Sequence, residues 1–341
     1  MKQRTDGAVV LRLAYEAITR SGLPVENILK KAGITQDHMR LYQRVPQRAQ
    51  FSFWRAMIAL SRDNDIGLHL GQHLPLFRGQ IIEQLFVSSS SFGEGLKRTL
   101  PYQRLISDAF QAKLVIDGEL CYLKNITQAR PNNLVNRHFS ECAMSGVIQF
   151  FKFMTDNLFE PLRIDFDFSK GADLKEYEAI YGCSVSLGQK ETRLYFDKKI
   201  LDYQLWQAEP ELLTLHERFA TKKLEELVRY DLIDNVQEVI GRMLEKGELT
   251  LEMIATDLGM SARQLRHQLS EANTSFQELL TDYRCRLSKK LLKNSNESID
   301  HIVCLTGFSE PSTFYRAFKR WTNETPIEYR RRKQSPLTSS I

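Results

Sequence analysis

The 341-residue sequence has no run approaching the roughly 18 consecutive apolar residues that a membrane helix needs, which argues against a membrane-spanning helix. It opens on MKQRTDGAVV, without the sustained apolar stretch or small-residue cleavage site of a secretory signal, so a cytoplasmic address is expected. Five cysteines (Cys121, Cys142, Cys183, Cys285, Cys304) are odd in number, far apart and never paired as CxxC. That pattern speaks against a disulfide framework and a zinc site and predicts reduced, mostly buried thiols. No nucleophile motif, metal cluster or nucleotide fingerprint stands out, so neither an enzyme nor a cofactor is expected. Ser88–Ser91, followed by Gly93 and Gly95, lacks the lysine and spacing of a phosphate-binding loop, and predicts a helix entrance capped by Ser90 or Ser91. His69 and His73 are four apart, but Gly71 weakens a helix there and no third ligand is placed; structural or surface histidines are expected.

What is present is the composition of a soluble globular protein, 42% hydrophobic and 26% charged, at a length that suggests two domains. The net charge of +5 is small but unevenly spread. Residues 284–341 carry twelve Lys/Arg against five Asp/Glu, and all that precedes them is slightly acidic. A basic end suits a phosphate-binding surface, although a solvated tail at Arg330–Lys333 would give the same charge.

The decisive pattern is a local repeat. Residues 254–261 (IATDLGMS) recur as residues 302–309 (IVCLTGFS). In each copy a short amphipathic helix ends at a glycine able to take the left-handed conformation, followed by an apolar residue and a serine. Ser261 and Ser309 stand where a cap oxygen would open a second helix, and Pro311 is tolerable in that helix's first turn. The second helices keep Leu265 and Leu269, or Phe314 and Phe318, at i,i+4 spacing for packing. Their other faces expose Arg263, Gln264, Arg266 and His267 in the first copy, and Ser312, Thr313, Tyr315, Arg316 and Lys319 in the second. A guanidinium can span the two acceptors of guanine and a glutamine amide matches adenine. Helix, turn and helix are therefore written twice, the arrangement that sets a second helix into the major groove. Residues 276–293 (FQELLTDYRCRLSKKLLK) supply a long amphipathic helix able to bridge the units.

Residues 235–333 resemble the DNA-binding domain of AraC/XylS-family regulators. The likeness lies in Gly307 to Ser312, Phe314, Arg316 to Trp321, Thr325-Pro326 and Tyr329-Arg330, and in Ser261, Arg263, Leu265, Leu269, Ser275-Phe276, Arg284 and Leu291-Leu292. Val303, Thr306, Ser288 and Asn323 stand where alanine, an apolar residue, alanine and glycine are usual. The resemblance implies seven helices and two recognition helices entering consecutive major-groove segments of double-stranded promoter DNA. It further implies a homodimer and RNA polymerase as partners.

The larger amino-terminal part reads as mixed. Helical patterns cover Ala8 to Ser21, Val25 to Ala32, Phe51 to Ser61 and, roughly, His138 to Met154. Strand-like runs cover Lys113 to Ile116, Glu119 to Lys124, Leu162 to Phe168 and Thr192 to Phe196. The order of Asp65 to Gly71, Ser90 to Leu96 and Tyr181 to Val185 is similar to the AraC-subfamily domain often labelled arabinose-binding, a family label that names no ligand. On the long helix His138, Cys142, Gly146 and Phe150 fall four apart on one face. With Tyr102 and Tyr122 they form a candidate wall for a small-molecule effector, plain core packing being the alternative.

The resulting expectation is an α+β effector-sensing and dimerisation domain over residues 1–228 and a linker over 229–234. An all-α domain with two helix-turn-helix units follows over 235–335, then a disordered tail over 336–341. The segment from Lys222 to Asp234 would couple the two domains. The function expected is ligand-responsive transcription control; the alternative is a ligand-independent DNA-binding regulator whose first domain only dimerises or binds a protein partner.

Overall fold

The computed structural model describes residues 5–35, 44–108, 111–125, 134–247 and 249–334. The chain divides between Leu224 and Glu225 into two units.

The first unit begins with a helical layer: β1 (Thr5–Gly7), α1 (Ala8–Ser21), α2 (Val25–Ala32), β2 (Arg44–Pro46), α3 (Gln47–Ser61) and α4 (Ile66–Gly71). β1 and β2 pair antiparallel. The apolar stripes of these helices converge on a core that includes Leu11, Ile18, Ile28, Phe53, Trp54 and Leu70. α5 (Ile81–Val87) and α6 (Phe92–Thr99) follow, the latter opened by Ser91, whose hydroxyl accepts from the Glu94 amide at 3.3 Å.

A five-stranded sheet comes next, with β3 (Ala112–Asp117), β4 (Leu120–Asn125), β5 (Pro161–Asp165), β6 (Ser184–Ser186) and β7 (Arg193–Asp197) in the order β3-β4-β7-β5-β6. Only β5 and β6 run parallel. Phe86, Phe92, Phe151, Phe159, Phe166 and Phe196 fill the core beside it. The long helix α7 (Leu134–Met154) serves both layers: Val135 and Cys142 belong to the helical core, Met144, Ile148 and Phe151 to the sheet core.

A buried ionic cluster fixes α7 against its neighbours. Arg137 pairs with Glu141 at 2.7 Å and with Asp65, while the Tyr177 hydroxyl of α8 (Leu174–Tyr181) donates to the same Glu141. Burial and the adjacent Glu141 carboxylate push the Tyr177 phenol far above its ordinary range, so the hydroxyl stays a donor.

The mixed architecture matches the expectation, and α1 and α2 have the bounds read from the sequence. α3 starts at Gln47, directly after Pro46, which is earlier than its apolar pattern announces. α8 and the three-residue β6 were not anticipated. The expected linker is corrected. Residues 229–234, like the rest of the 222–234 coupling segment, lie inside α9 (Pro210–Met243), because no glycine or proline interrupts residues 211–240. The start of α9 is tied to the first unit through Arg98–Glu217 at 2.6 Å and Tyr102–Thr221 at 2.9 Å. The proposed tail, residues 336–341, lies outside the described residues. Of the five free thiols only Cys121 and Cys142 are buried, Cys183 and Cys285 are half-buried and Cys304 is exposed, so "mostly buried" does not hold.

The second unit is all helical among the described residues. After the end of α9 come α10 (Leu251–Asp257), α11 (Ala262–Glu271), α12 (Phe276–Asn294), α13 (Ile299–Leu305), α14 (Pro311–Thr322) and α15 (Pro326–Gln334). With the α9 segment these make the seven helices that the resemblance implies. They enclose two separate cores. Leu265, Leu269, Phe276, Leu279 and Leu280 lie in one, and Leu292, Ile302, Val303, Phe314 and Phe318 in the other. α12 runs from the first core to the second.

Candidate nucleic-acid interface and cavity

The first helix-turn-helix is α10, a turn at Gly259 and α11. Gly259 has φ +69°, the left-handed conformation that closes α10 at little cost only for glycine. Ser261 then opens α11 in a capping box: its hydroxyl accepts from the Gln264 amide at 3.2 Å, and Gln264 Oε1 accepts from the Ser261 amide at 2.9 Å. Leu265 and Leu269 are buried, whereas Arg263, Gln264, Arg266 and His267 are exposed. The expected groove-facing side is therefore on the surface. Gln264, read from the sequence as an adenine-matching amide, has its carbonyl oxygen engaged in the cap; the S-x-x-Q spacing of residues 261–264 was the available signal.

The second unit repeats the turn by other means. Ser298 caps α13 by accepting from the His301 amide at 3.1 Å, and Gly307 closes it at φ +67°. The N-cap position of α14 is held by Glu310, not Ser309, and its side chain makes no capping hydrogen bond: Pro311, which has no amide hydrogen to satisfy, takes the first helical position and starts the helix one residue later than expected. Phe314 and Phe318 are buried in an aromatic cluster with Phe308, Trp321 and Tyr329. Ser312, Thr313, Arg316 and Lys319 are exposed, and Tyr315 is half-buried.

The departures from the family pattern are accommodated. Thr306 is buried with its hydroxyl donating to the Ile302 carbonyl at 2.6 Å, Ser288 donates likewise to Arg284 at 2.7 Å, and Asn323 ends α14 at φ +60°. Arg284 of α12 donates to the Gly307 carbonyl at 2.6 Å and lies 4.6 Å over the Phe308 ring, so the bridging helix holds the second turn directly.

Electrostatics favour a polyanion here. Among the described residues no ion pair engages Arg263, Arg266 or Arg316, which leaves their charge available to phosphate or guanine. The basic run Arg330 to Lys333 is part of α15 and not a loose tail: Arg330 donates to the Glu297 carbonyl at 2.6 Å, and Arg332 pairs with Glu324 at 3.0 Å.

The first unit holds a cavity of about 270 Å³ between α1, α3, α7 and the sheet, walled mostly by carbon. Of the six candidate effector residues it brings together Cys142, Gly146 and Phe150. A Cβ on Gly146 would meet only Leu74, at 3.4 Å, so the missing side chain does leave room. Burial pushes the Cys142 thiol up to about 12, keeping that part of the wall neutral.

The other three candidates lie elsewhere. His138 is buried against α4, accepting from the Gly67 amide at 3.2 Å; a Cβ on Gly67 would fall 2.3 Å from the His138 Cα, so that glycine lets α4 cover this end of the stripe. Tyr122 packs at a tilt against Tyr195 with ring centroids 5.0 Å apart, while its strand neighbour Leu123 turns to the cavity. Tyr102 is bonded to Thr221 at 2.9 Å.

Reading the sequence missed Gln50 and Trp54, which line the cavity from α3. Three other polar lining groups are spoken for: Thr99 donates to the Gly95 carbonyl at 2.8 Å, Gln103 to the Ala112 carbonyl at 3.0 Å and Thr192 to Asp167 at 3.0 Å. Both polar atoms of Gln50 and the indole nitrogen of Trp54 have no partner, each a loss of about 1–3 kcal/mol while it lasts.

His69 is structural: Asp63 at 2.6 Å and Glu176 at 2.7 Å hold its two ring nitrogens. Burial lowers its pKa, but the two carboxylates outweigh that and leave it above the ordinary value. No group of three or more metal-binding side chains occurs among the described residues, and no helix there is long and apolar enough to cross a membrane.

An all-helical unit with two capped helix-turn-helix motifs, each presenting a polar, cationic second helix, is that of a DNA-binding transcription regulator. A family model described as the arabinose-binding domain of AraC transcription regulator, N-term, matches residues 22–205, more than half of the chain, and a helix-turn-helix domain model matches residues 254–332. The chain belongs to the AraC family of transcription regulators. It is 27% identical over 274 residues to the ornithine utilization regulator of Pseudomonas aeruginosa, covering 80% of each chain. It is 32% identical over 98 residues to the transcriptional activator PerA of Escherichia coli, covering 29% of this chain and 35% of that one. The solved transcriptional regulator CdpR from Pseudomonas aeruginosa aligns at a TM-score of 0.46 and 17% identity, over 90% of this chain and 96% of that one.

Proposed function

We propose that this regulator is ligand-responsive: a small-molecule effector enters the cavity of the first unit, and its occupancy shifts the population competent to bind promoter DNA. The observation that carries the ligand half is the space beside Gly146, about 270 Å³ in a core that is otherwise filled with aromatic rings. Cys142, Gly146 and Phe150 form part of its wall.

On the DNA side, Arg263, Arg266 and His267 of α11, and Ser312, Thr313, Arg316 and Lys319 of α14, contact two successive major-groove segments; Gln264 chiefly shapes its helix end. A homodimer is supported by the exposed stripe Leu212, Leu215 and Phe219 at the start of α9. RNA polymerase at the promoter is the protein partner, and the cytoplasm the compartment.

Sites selected from a random DNA pool supply the probe for fluorescence anisotropy. Arg266→Ala and Arg316→Ala are each expected to weaken specific binding by about 1–3 kcal/mol. Unchanged affinity in both would remove these assignments. A metabolite that alters promoter affinity in the wild type should lose that effect in Gly146→Trp; a retained effect would place the effector elsewhere.

A further inference from the structure

Gln50 and Trp54 stand one turn apart on α3 and line the cavity together. They are 4% and 2% exposed, yet the amide oxygen and nitrogen of Gln50 and the indole nitrogen of Trp54 are without hydrogen-bond partners. Buried polar groups are ordinarily paired, so two neighbouring wall residues whose polar atoms are unpaired mark where a ligand's polar end would sit. Together they offer two donating nitrogens, the Gln50 amide with two N–H bonds and the Trp54 indole with one, and one carbonyl acceptor. The complement is a group whose oxygen accepts from both nitrogens while an adjacent N–H or O–H donates to Gln50 Oε1.

The remaining wall restricts charge. Among the described residues no carboxylate lines the cavity, and the one cationic side chain there, Lys124, is paired with Glu191 at 3.6 Å. An ammonium or carboxylate entering this space would lose its hydration without a counter-charge. The volume of about 270 Å³ corresponds to roughly nine waters at about 30 Å³ each.

Resting on the reading of this cavity as the effector site, we propose that it takes an uncharged ligand of roughly ten non-hydrogen atoms, with an apolar body and a carboxamide-like head held by Gln50 and Trp54. Ornithine, with two ammonium groups and a carboxylate, does not meet these requirements, although one relative is named for its utilization.

Isothermal titration calorimetry on the full chain tests this with octanamide, butylbenzene, octylammonium and ornithine. Octanamide should bind at least about tenfold more tightly than octylammonium or ornithine. Gln50→Leu should weaken octanamide about tenfold and leave butylbenzene within about threefold, separating the head-group contact from the shape of the cavity. Gly146→Phe, or the smaller Gly146→Val if circular dichroism shows the first variant misfolded, should weaken both.

Ornithine or octylammonium binding that Gly146→Phe abolishes would overturn the neutral-ligand inference and leave the cavity standing as the effector site. Octanamide binding indifferent to Gln50→Leu would also overturn it. If none of the four probes binds, or if binding ignores every Gly146 variant, the cavity reading falls with it.

Discussion

The two helix-turn-helix units share a turn and differ in what holds it. In the first, a capping box at Ser261 and Gln264 and two leucines do the work, and a Cβ on Gly259 would meet nothing within 4 Å. In the second, a proline opens the recognition helix, five aromatic rings fill the space behind it, and Arg284 grips the turn from α12. A Cβ on Gly307 would lie 2.9 Å from the Leu244 carbonyl oxygen. The glycine geometry is therefore the shared requirement, and the packing beneath it is interchangeable.

That contrast can be broken experimentally. Phe318→Ala removes a buried ring in contact with Phe314, Trp321 and Tyr329 and should cost about 3–5 kcal/mol. Hydrogen exchange read by mass spectrometry should show lost protection in α13 and α14 with little change in α10 and α11; equal loss in both would mean the two cores are one.

Gly307→Ala combines left-handed strain with overpacking and should cost on the order of 3 kcal/mol, against about 1–2 for Gly259→Ala. Urea melts that reverse this ranking would deny that the second turn is the more crowded. At the small end, Ser261→Ala should cost about 1 kcal/mol and Ser309→Ala less than about 0.5, since only the former caps a helix. Equal losses would restore Ser309 as a cap.

Local rules were the legible part. The repeated glycine, the buried pairs Leu265/Leu269 and Phe314/Phe318, and the exposed faces of α11 and α14 follow from helical spacing and turn chemistry, which act within a few residues. The cavity depends on neighbours remote in the chain, so only half of the six anticipated residues line it. His138 is lost to α4 because Gly67 permits a close approach, and Tyr122 faces Tyr195 because of the register between β4 and β7. Nothing in α3 distinguishes Gln50 from a polar residue facing water until α1 and α7 close over it. The continuous α9 was hidden differently: a boundary was sought in a stretch whose composition favours uninterrupted helix.

α12 is a single rod of 19 residues, about 28 Å long, with each end anchored in a different core. It therefore works as a fixed gauge. Adding or deleting one base pair between the two contacted stretches would rotate the second by about 35° around the duplex axis, and the rod has no slack to follow. Operators for this regulator should tolerate sequence drift in the intervening steps but not a change in their number.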